Sequence, residues 1–283
     1  MGRSDPRRAA VVGSPIEHSL SPVLHGAAYR ELGLDGWSYE RIERDAAGLA
    51  ELVPSLGPEW VGLSVTMPGK QAALGLADEV TERAAAVGVA NTLTRRDSGA
   101  WSADCTDVDG VTGALRAAGG FTGGRAGLVL GAGGTAAAAV AAFAELGLRE
   151  VTLAVREPSR AADVAATARR VGLAVEVQRL SEMDWSAAVG AADVVVSTLP
   201  GGAADPFAEE LARASCVLDV IYHPWPTPLA TAVQEAGGRL ATGLDMLLHQ
   251  AFGQVELFTG LPAPRTAMRD ALLAATGDVP LPL

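Results

Sequence analysis

A lysine and an aspartate are the side chains of this sequence best suited to move a proton at a carbonyl group. Lys70 follows an apolar run and a Pro-Gly turn, and Asp107 lies in the polar segment 104–110. A ketone that accepts a hydride becomes an alkoxide and needs a proton, which the ammonium group of Lys70 could donate. A carboxylate at Asp107 would orient that ammonium and could bond a substrate hydroxyl. Taken alone, a lysine is more often a solvated surface charge.

A serine-rich loop is the first candidate site for a substrate anion. Residues 12–22 have the sequence VGSPIEHSLSP and lead into a predicted helix whose first turn contains Pro22. The hydroxyls of Ser19 and Ser21 beside a helix N-terminus could bind a carboxylate without a full positive charge. Serines at this place are equally often ordinary helix caps, so both interpretations stay open.

A glycine turn indicates a dinucleotide site. Residues 128–136, LVLGAGGTA, form an apolar strand followed by a turn and an alanine-rich helix. The small residues allow a tight turn and close approach of the backbone to a pyrophosphate, which would face the helix N-terminus. Glycine turns also occur for purely structural reasons, but the strand and helix on either side favour nucleotide binding. The residues concerned are Gly131, Ala132, Gly133, Gly134 and Thr135.

The next predicted strand favours NADP over NAD. It covers 151–155 and is followed by Arg156, where an NAD enzyme would have an acidic residue for the ribose 2′-hydroxyl. Arg156 and Arg160 could bind a 2′-phosphate, although both could also lie on a solvated helix face. Glu157 complicates the choice, because a carboxylate directed at that phosphate would repel it.

The elements that must position these residues alternate between short apolar runs and amphipathic stretches, as in an α/β fold. Parallel strands need crossover connections, usually helical, so the second half is predicted to be a doubly wound sheet. The predicted strands are 9–12, 37–42, 60–65, 127–130, 151–155, 174–177, 194–196 and 217–220, and the predicted helices are 22–32, 46–56, 79–87, 243–259 and 266–275.

Two domains are predicted. The glycine-rich stretch 119–127 is interpreted as the joint between the two halves. The last two helices are expected to pack back on the first domain, which makes that domain discontinuous. The predicted boundaries are 1–107 plus 243–283 for a substrate-binding and catalytic domain, and 108–242 for a Rossmann-like dinucleotide-binding domain.

Composition excludes several classes of protein. The 283 residues are 49% hydrophobic and 19% charged, which is typical of a globular chain. A formal charge of −11 argues against nucleic acid or an anionic membrane as a partner. The sequence contains no membrane-length apolar run, signal-peptide core or metal-ligand spacing, and Cys105 and Cys216 are too few for a disulfide framework. We expect a cytoplasmic monomer or homodimer that binds a small molecule and no metal.

Taken together, these segments resemble the shikimate dehydrogenase family over nearly the whole chain and in the family's order. The similar stretches are GSPIEHSLSP at 13–22, SVTMPGK at 64–70, the segments around Asn91 and Asp107, the glycine turn at 131–136, DVIYHPWPTP at 219–228 and GLDMLLHQ at 243–250. The resemblance implies a reversible NADPH-dependent reduction of 3-dehydroshikimate to shikimate, on the route to chorismate and the aromatic amino acids.

The resemblance also implies a role for each matched residue. Lys70 would protonate the carbonyl oxygen, and Asp107 would pair with Lys70 and bind a ring hydroxyl. The residues implied to bind substrate are Ser19, Ser21, Ser64, Thr66, Asn91, Tyr222 and Gln250. Those implied to bind NADP are Gly131, Ala132, Gly133, Gly134, Thr135, Arg156, Arg160, Thr198, Gly243 and Met246.

Some positions depart from the family's pattern. Ser64 replaces the usual asparagine, Val108 follows Asp107 where a glycine is expected, and Glu157 alters the segment implied to bind the 2′-phosphate. Ser64 and Glu157 leave open a quinate/shikimate or aminoshikimate dehydrogenase that uses NAD. A non-catalytic sensor of shikimate or dinucleotide is the alternative from another class, and the pair of Lys70 and Asp107 argues against it.

Overall fold

The computed structural model describes residues 6–277 and 279–283, and contacts within the chain divide it into two units. One unit comprises Met1–Thr106 and Gln250–Leu281, and the other comprises Asp107–His249. The glycine-rich stretch 119–127 therefore lies inside the second unit. Each unit contains a six-stranded sheet, and the predicted α/β class is confirmed.

The elements follow one another in alternation along most of the chain. The strands are β1 (Arg7–Gly13), β2 (Trp37–Glu43), β3 (Trp60–Val65), β4 (Glu79–Val80), β5 (Thr92–Arg95), β6 (Trp101–Asp104), β7 (Ala126–Leu130), β8 (Glu150–Val155), β9 (Ala174–Arg179), β10 (Val194–Ser197), β11 (Cys216–Asp219) and β12 (Arg239–Thr242). The helices are α1 (Ser21–Glu31), α2 (Ala46–Ser55), α3 (Lys70–Leu76), α4 (Glu82–Val87), α5 (Asp107–Ala117), α6 (Gly134–Glu145), α7 (Ala162–Arg170), α8 (Trp185–Ala191), α9 (Ala208–Leu211), α10 (Pro228–Glu235), α11 (Gly243–Thr259) and α12 (Arg265–Thr276).

The sheet of the first unit has the strand order β2-β1-β3-β5-β6-β4. Strands β1, β2 and β3 run parallel, whereas β5 is antiparallel to both β3 and β6. Three strands, β4, β5 and β6, were not predicted, because each is short and β4 is exposed. The predicted helix 79–87 begins only at Glu82, where the Thr81 hydroxyl caps it by accepting a hydrogen bond from the Ala84 N–H.

Alternation along β3 decides what each side of this sheet contacts. Leu63 and Val65 are buried in an apolar cluster that includes residues of α2 and α3. Gly62 and Ser64 point to the opposite side. There the ring of Phe258 on α11 lies so close to Gly62 that a Cβ at this position would collide with it. Helix α11 therefore covers the side of the sheet that carries Ser64.

The sheet of the second unit has the order β12-β11-β10-β7-β8-β9, and every neighbouring pair is parallel. This confirms the predicted doubly wound sheet. Strand β12 was not predicted, because only its last two residues are buried. Helix α6 packs closely, since its residues from Ala136 to Phe143 are all buried.

The C-terminal helices contribute to the first unit. The part of α11 from Gln250 onward belongs to that unit, and α12 packs against α1. Thr242 and Asp245 form a reciprocal cap at the start of α11: the Thr242 N–H donates to Asp245 Oδ2 at 2.8 Å, and the Asp245 N–H donates to Thr242 Oγ1 at 3.3 Å. None of the described helices has both the length and the apolar character needed to cross a membrane.

Candidate active site

The serine loop and the loop before Lys70 leave adjacent parallel strands at the same edge of the first sheet. The Thr66 N–H donates to the Val12 carbonyl at 2.9 Å, and the Ser14 N–H donates to the Met67 carbonyl at 3.0 Å. Gly13 lies so close to the Thr66 side chain that a Cβ there would collide with it. The carboxyl ends of parallel strands are the usual place for a ligand site in an α/β fold. The structure thus brings the two loops together.

The two serines of this loop do not act as ordinary helix caps. Helix α1 begins at Ser21, the N-cap position is occupied by Leu20, and no side chain caps this helix. The Ser19 hydroxyl accepts only a long bond, 3.4 Å, from the Ser21 N–H. Arg41, which the sequence did not single out, donates two hydrogen bonds to the Ser19 carbonyl, at 2.6 and 2.9 Å. This guanidinium holds the loop and adds positive charge beside it.

Lys70 is linked to the segment that carries Asn91. It is the first residue of α3, half-buried, and its carbonyl accepts a hydrogen bond from the Ala90 N–H at 3.0 Å. The next residue, Asn91, is buried, and its Nδ2 donates to Gln250 Oε1 at 3.3 Å. Three predicted site residues of the first unit are thereby tied into one region.

The orientation of the Asn91 amide is fixed by its neighbours. Its Oδ1 accepts hydrogen bonds from the Thr106 N–H at 2.8 Å and from the Thr92 hydroxyl at 2.9 Å. The Thr106 hydroxyl lies 3.4 Å from Gln250 Oε1. These buried groups carry no net charge, and neutral amides and hydroxyls bond substrate hydroxyls in either direction.

An ion pair anchors the strand that leads to Asp107. The Asp104 carboxylate accepts two bonds from Arg83, with Nη2 to Oδ2 at 2.6 Å and Nε to Oδ1 at 3.1 Å. The Thr81 hydroxyl and the Cys105 N–H also donate to Oδ1, at 2.8 and 2.7 Å. Burial by itself raises the pKa of Asp104, but these donors outweigh it and hold the pKa below its usual value. This structural role of Asp104 was not predicted from the sequence.

Asp107 is the first residue of α5 and is only 5% exposed. Acidic residues are common in the first turn of a helix, because the helix N-terminus carries a partial positive charge. Asp107 belongs to the second unit and Lys70 to the first, and the pairing of these two residues stays a prediction.

The glycine turn of the second unit fits a dinucleotide phosphate. Gly131 has a φ of +109°, which favours glycine, and a Cβ there would collide with the Thr198 hydroxyl. That hydroxyl donates to the Leu130 carbonyl at 2.8 Å. Gly133 differs: it has extended backbone, and a Cβ built on it meets no described atom within 4 Å. Packing does not require glycine at this position, whereas close approach of a phosphate would.

The N-terminus of α6, directly after this turn, also has no described side chain that occupies it. Gly133 is its N-cap residue, and no side chain caps the helix. Gly134 begins the helix, and Ala132 and Thr135 are half-buried beside it. The first N–H groups of an α-helix have no partner within the helix and bind anions readily. The predicted glycine turn therefore offers the donors that NADP requires.

The structure supplies a partner for Glu157. Arg179, at the end of β9, donates to both carboxylate oxygens of Glu157 at 3.4 Å. The same guanidinium donates to the Arg156 carbonyl at 3.0 Å. Arg156 and Arg160 are both exposed. Arg179 also pairs with Glu182 at 3.4 Å, so it offsets part of the negative charge of Glu157 beside the two predicted phosphate ligands.

Tyr222 and Gly243 are neighbours in the second unit. A Cβ on Gly243 would collide with the Val220 carbonyl and would lie 3.0 Å from the Tyr222 ring, so close packing alone explains this glycine. Asp219 holds the loop of Tyr222, because it accepts bonds from the Thr227 hydroxyl at 2.7 Å and the Ile221 N–H at 3.2 Å. The half-buried Tyr222 has its pKa raised by burial.

Met246 is 7% exposed on the first turns of α11. The neighbouring Asp245 is buried, and burial raises its pKa to about 6 although Thr242 donates two hydrogen bonds to it. Among the described residues, Asp245 Oδ1 has no hydrogen-bond partner.

Comparisons with known proteins place the chain in a family. The profile of the shikimate dehydrogenase substrate binding domain matches residues 11–93, and that of the shikimate 5′-dehydrogenase C-terminal domain matches residues 243–273. A protein of Citrifermentans bemidjiense named shikimate dehydrogenase (NADP(+)) is 39% identical over 278 residues, which cover 94% of each chain. The chain belongs to the shikimate dehydrogenase family.

Solved structures of this family have the same architecture. Shikimate dehydrogenase of Mycobacterium tuberculosis is 55% identical, with a TM-score of 0.89 over 95% of this chain and 100% of that chain. Shikimate 5-dehydrogenase of Thermus thermophilus, in complex with NADP(H) and shikimate, is 32% identical with a TM-score of 0.81, over 95% of this chain and 99% of that one. The family predicted from the sequence is confirmed.

Several polar residues around the predicted site were missed. Tyr39, Thr92 and Gln254 are buried or half-buried and bond to predicted substrate residues. One signal was present in the sequence: Gln254 lies four positions after Gln250, on the same face of α11. Tyr39 gives no such signal, because its partner Ser64 lies 25 positions away, and Thr92 directly follows Asn91 but was not predicted to support it.

Proposed function

We propose that this chain catalyses the reversible NADPH-dependent reduction of 3-dehydroshikimate to shikimate, on the route to chorismate and the aromatic amino acids. The protein is an NADP-dependent oxidoreductase that acts on a CH–OH group. The observation that carries the proposal is the meeting of the serine loop with the loop before Lys70, beside the bonded amides of Asn91 and Gln250. The amides and hydroxyls gathered there suit a small ring that carries several hydroxyl groups.

The first unit supplies most groups that bind the substrate. Ser19 and Ser21, beside the uncapped start of α1 and with Arg41 close to the loop, bind the carboxylate. A further set of the first unit binds ring hydroxyls: Ser64, Thr66, Asn91 and Gln250. Tyr222, which belongs to the second unit, is also proposed to bind the substrate. Fixed donors and acceptors hold the ring in one orientation, which lowers the entropic part of the barrier.

Lys70 and Asp107 carry out the proton transfer in this proposal. NADPH, when bound, supplies a hydride to the ketone carbon. The Lys70 ammonium donates a proton to the oxygen as negative charge develops there, and takes it back in the reverse direction. Asp107 binds a ring hydroxyl and orients the ammonium.

The second unit holds the cofactor. The backbone from Gly131 to Thr135 and the start of α6 bind the pyrophosphate, and Thr198 supports Gly131 from the neighbouring strand. Arg156 and Arg160 bind the 2′-phosphate. Arg179 supports this choice of cofactor, because it compensates Glu157. Gly243 and Met246 would line the nicotinamide.

Steady-state rates test the function directly. We expect turnover of shikimate with NADP to exceed turnover with NAD, and shikimate to exceed quinate as substrate. Faster turnover of quinate with NAD would instead identify a quinate dehydrogenase. Binding of shikimate without turnover on either cofactor would identify a sensor.

Two further properties belong to this proposal. Both cysteines are buried thiols, which suits a reducing compartment, and we place the protein in the cytoplasm. We propose a monomer or homodimer, which sedimentation equilibrium distinguishes.

A further inference from the structure

A buried glutamine, Gln254, lies among the polar groups that surround Ser64. It is 1% exposed on α11. Its Oε1 accepts a hydrogen bond from the Ser64 hydroxyl at 2.7 Å. Its Nε2 donates to the Thr92 hydroxyl at 3.1 Å and to the Asn91 carbonyl at 3.4 Å. The Gln254 amide therefore contacts Ser64, which is predicted to bind substrate, and also Thr92, which supports a second predicted residue, Asn91.

Only one orientation of the Gln254 amide is compatible with its hydrogen-bond partners. The Asn91 carbonyl can only accept, so the NH₂ group of Gln254 must face it and Oε1 must face Ser64. His25 agrees with this assignment. It is fully buried, its pKa is lowered to about 3 by burial although the bond to Gln254 opposes this, and its neutral ring donates from Nε2 to Oε1 at 3.3 Å.

The single proton of Ser64 then determines which group donates in each of its hydrogen bonds. A serine hydroxyl has one proton and two lone pairs. The proton is committed to Gln254 Oε1, so the bond of 2.7 Å between Tyr39 and Ser64 must be donated by the tyrosine. One lone pair of Ser64 is left for a ligand. Since Ser64 is 4% exposed and stacking of Tyr39 on His25 holds the phenol in place, rotation away from this arrangement is restricted.

We infer that Gln254 is a positioning residue that fixes Ser64 as a hydrogen-bond acceptor toward the substrate. Ser64 then selects a ligand hydroxyl at this position and disfavours a group that can only accept. An asparagine, which the family more usually has here, could donate as well as accept. The inference rests on the proposed function, because Ser64 is taken to contact the substrate.

The same amide supports Asn91 through Thr92. Gln254 donates to the Thr92 oxygen at 3.1 Å, and the Thr92 hydroxyl in turn donates to Asn91 Oδ1 at 2.9 Å. Loss of Gln254 should therefore weaken substrate binding and leave cofactor binding unchanged. A neutral hydrogen bond contributes about 0.5 to 1.5 kcal/mol, which corresponds to a two- to tenfold increase in the KM for shikimate.

A double-mutant cycle on the full-length protein tests the inference. Gln254→Met keeps the side-chain volume and removes both polar atoms. We expect it to raise the KM for shikimate about two- to tenfold in the wild-type background, with kcat and the KM for NADP within about twofold. In a Ser64→Ala background the same change should have a clearly smaller effect, because only the route through Thr92 and Asn91 then remains. Equal effects in both backgrounds would overturn the inference.

Two controls keep the outcomes distinct. Gln234→Met, an exposed glutamine on α10, should leave both KM values unchanged. If the wild type does not turn over shikimate, the proposed function fails, whereas a normal wild type with an additive cycle rejects only the role of Gln254.

A measurement on the wild type covers the case in which Gln254→Met does not fold. Analogues of shikimate that lack one ring hydroxyl, or carry fluorine in its place, are tested as competitive inhibitors. Fluorine can accept a hydrogen bond but cannot donate one. For one ring position we expect the fluoro and deoxy analogues to bind equally weakly. Tighter binding of the fluoro analogue at every position would mean that Ser64 donates, and would refute the inference.

Discussion

The buried carboxyl of Asp245 should make the protein less stable as the pH rises through the acid range. Its pKa is raised from 3.8 to about 6, chiefly because the group is buried, and one oxygen has no partner among the described residues. The folded state therefore binds a proton that the unfolded state releases. This contribution to stability is fully present below the unfolded pKa and is lost as the pH rises through the folded pKa.

The size of the effect follows from the shift. Each unit of pKa corresponds to 1.36 kcal/mol, so a shift of about two units limits the effect to roughly 3 kcal/mol. Because the unfolded group is already partly ionised near pH 4, the change between about pH 4 and about pH 7 comes to about 2 kcal/mol.

Asp245→Asn removes this titration and keeps an oxygen that can accept the bonds from Thr242. Urea unfolding of the wild type and the variant is measured from about pH 4 to about pH 7. The free energy of unfolding of the variant minus that of the wild type should rise by about 2 kcal/mol over this range. Any constant effect of the amide cancels in this comparison.

Asp193→Asn is the matched control, because its trend should have the opposite sign. The N–H groups of Ala126 and Arg125 donate to Asp193 and lower its pKa. Its stabilisation is therefore present above the ordinary pKa and is lost as the pH falls. A difference between Asp245→Asn and the wild type that stays constant with pH would refute the reasoning.

Three further predictions concern the proposed active site and its supports. Lys70→Ala should lower the turnover number by about 10²- to 10⁴-fold without raising the KM for NADP, and normal turnover would exclude Lys70 as the proton donor. Arg179→Met removes the cation beside Glu157 and should raise the KM for NADP about three- to tenfold more than the KM for NAD. Adding Glu157→Gln should restore the KM for NADP. An equal rise in both KM values would argue against this role of Arg179. Arg83→Met removes the charged partner of Asp104 and should lower the free energy of unfolding by about 2 kcal/mol at neutral pH. That loss should shrink on acidification, because a lowered carboxyl pKa contributes stability only above the pH at which the folded group protonates; a pH-independent loss in urea unfolding would contradict it.

The family, the α/β class, eight of the twelve described strands and half of the described helices could be predicted from the sequence alone. Strand β3 was predicted with its observed bounds, and the start of β8 was predicted one residue too late. These elements have a local cause, because burial on one or both faces imposes a period that is visible in adjacent residues. The glycine turn could be interpreted for a similar reason, since a positive φ at Gly131 and a helix start at Gly134 are set within a few positions.

The strands that carry little local pattern could be placed only once the fold was known. Strands β5 and β6 have four residues each and are held by antiparallel pairing with neighbours, not by their own alternation. The partners of charged residues were also beyond the sequence. In the sequence, Glu157 is an argument against NADP, because its ion pair with Arg179, 22 positions away, is not visible there.

Ser64 shows the division most clearly. The sequence determined that a serine stands where the family more usually has an asparagine. It could not determine the direction in which the serine proton points, because that depends on Tyr39, 25 positions before it, and on Gln254, 190 positions after it. Sheet pairing and the packing of α11 bring these three groups within hydrogen-bonding distance. A hydroxyl has one proton to donate, so its neighbours in space decide what it offers to a substrate.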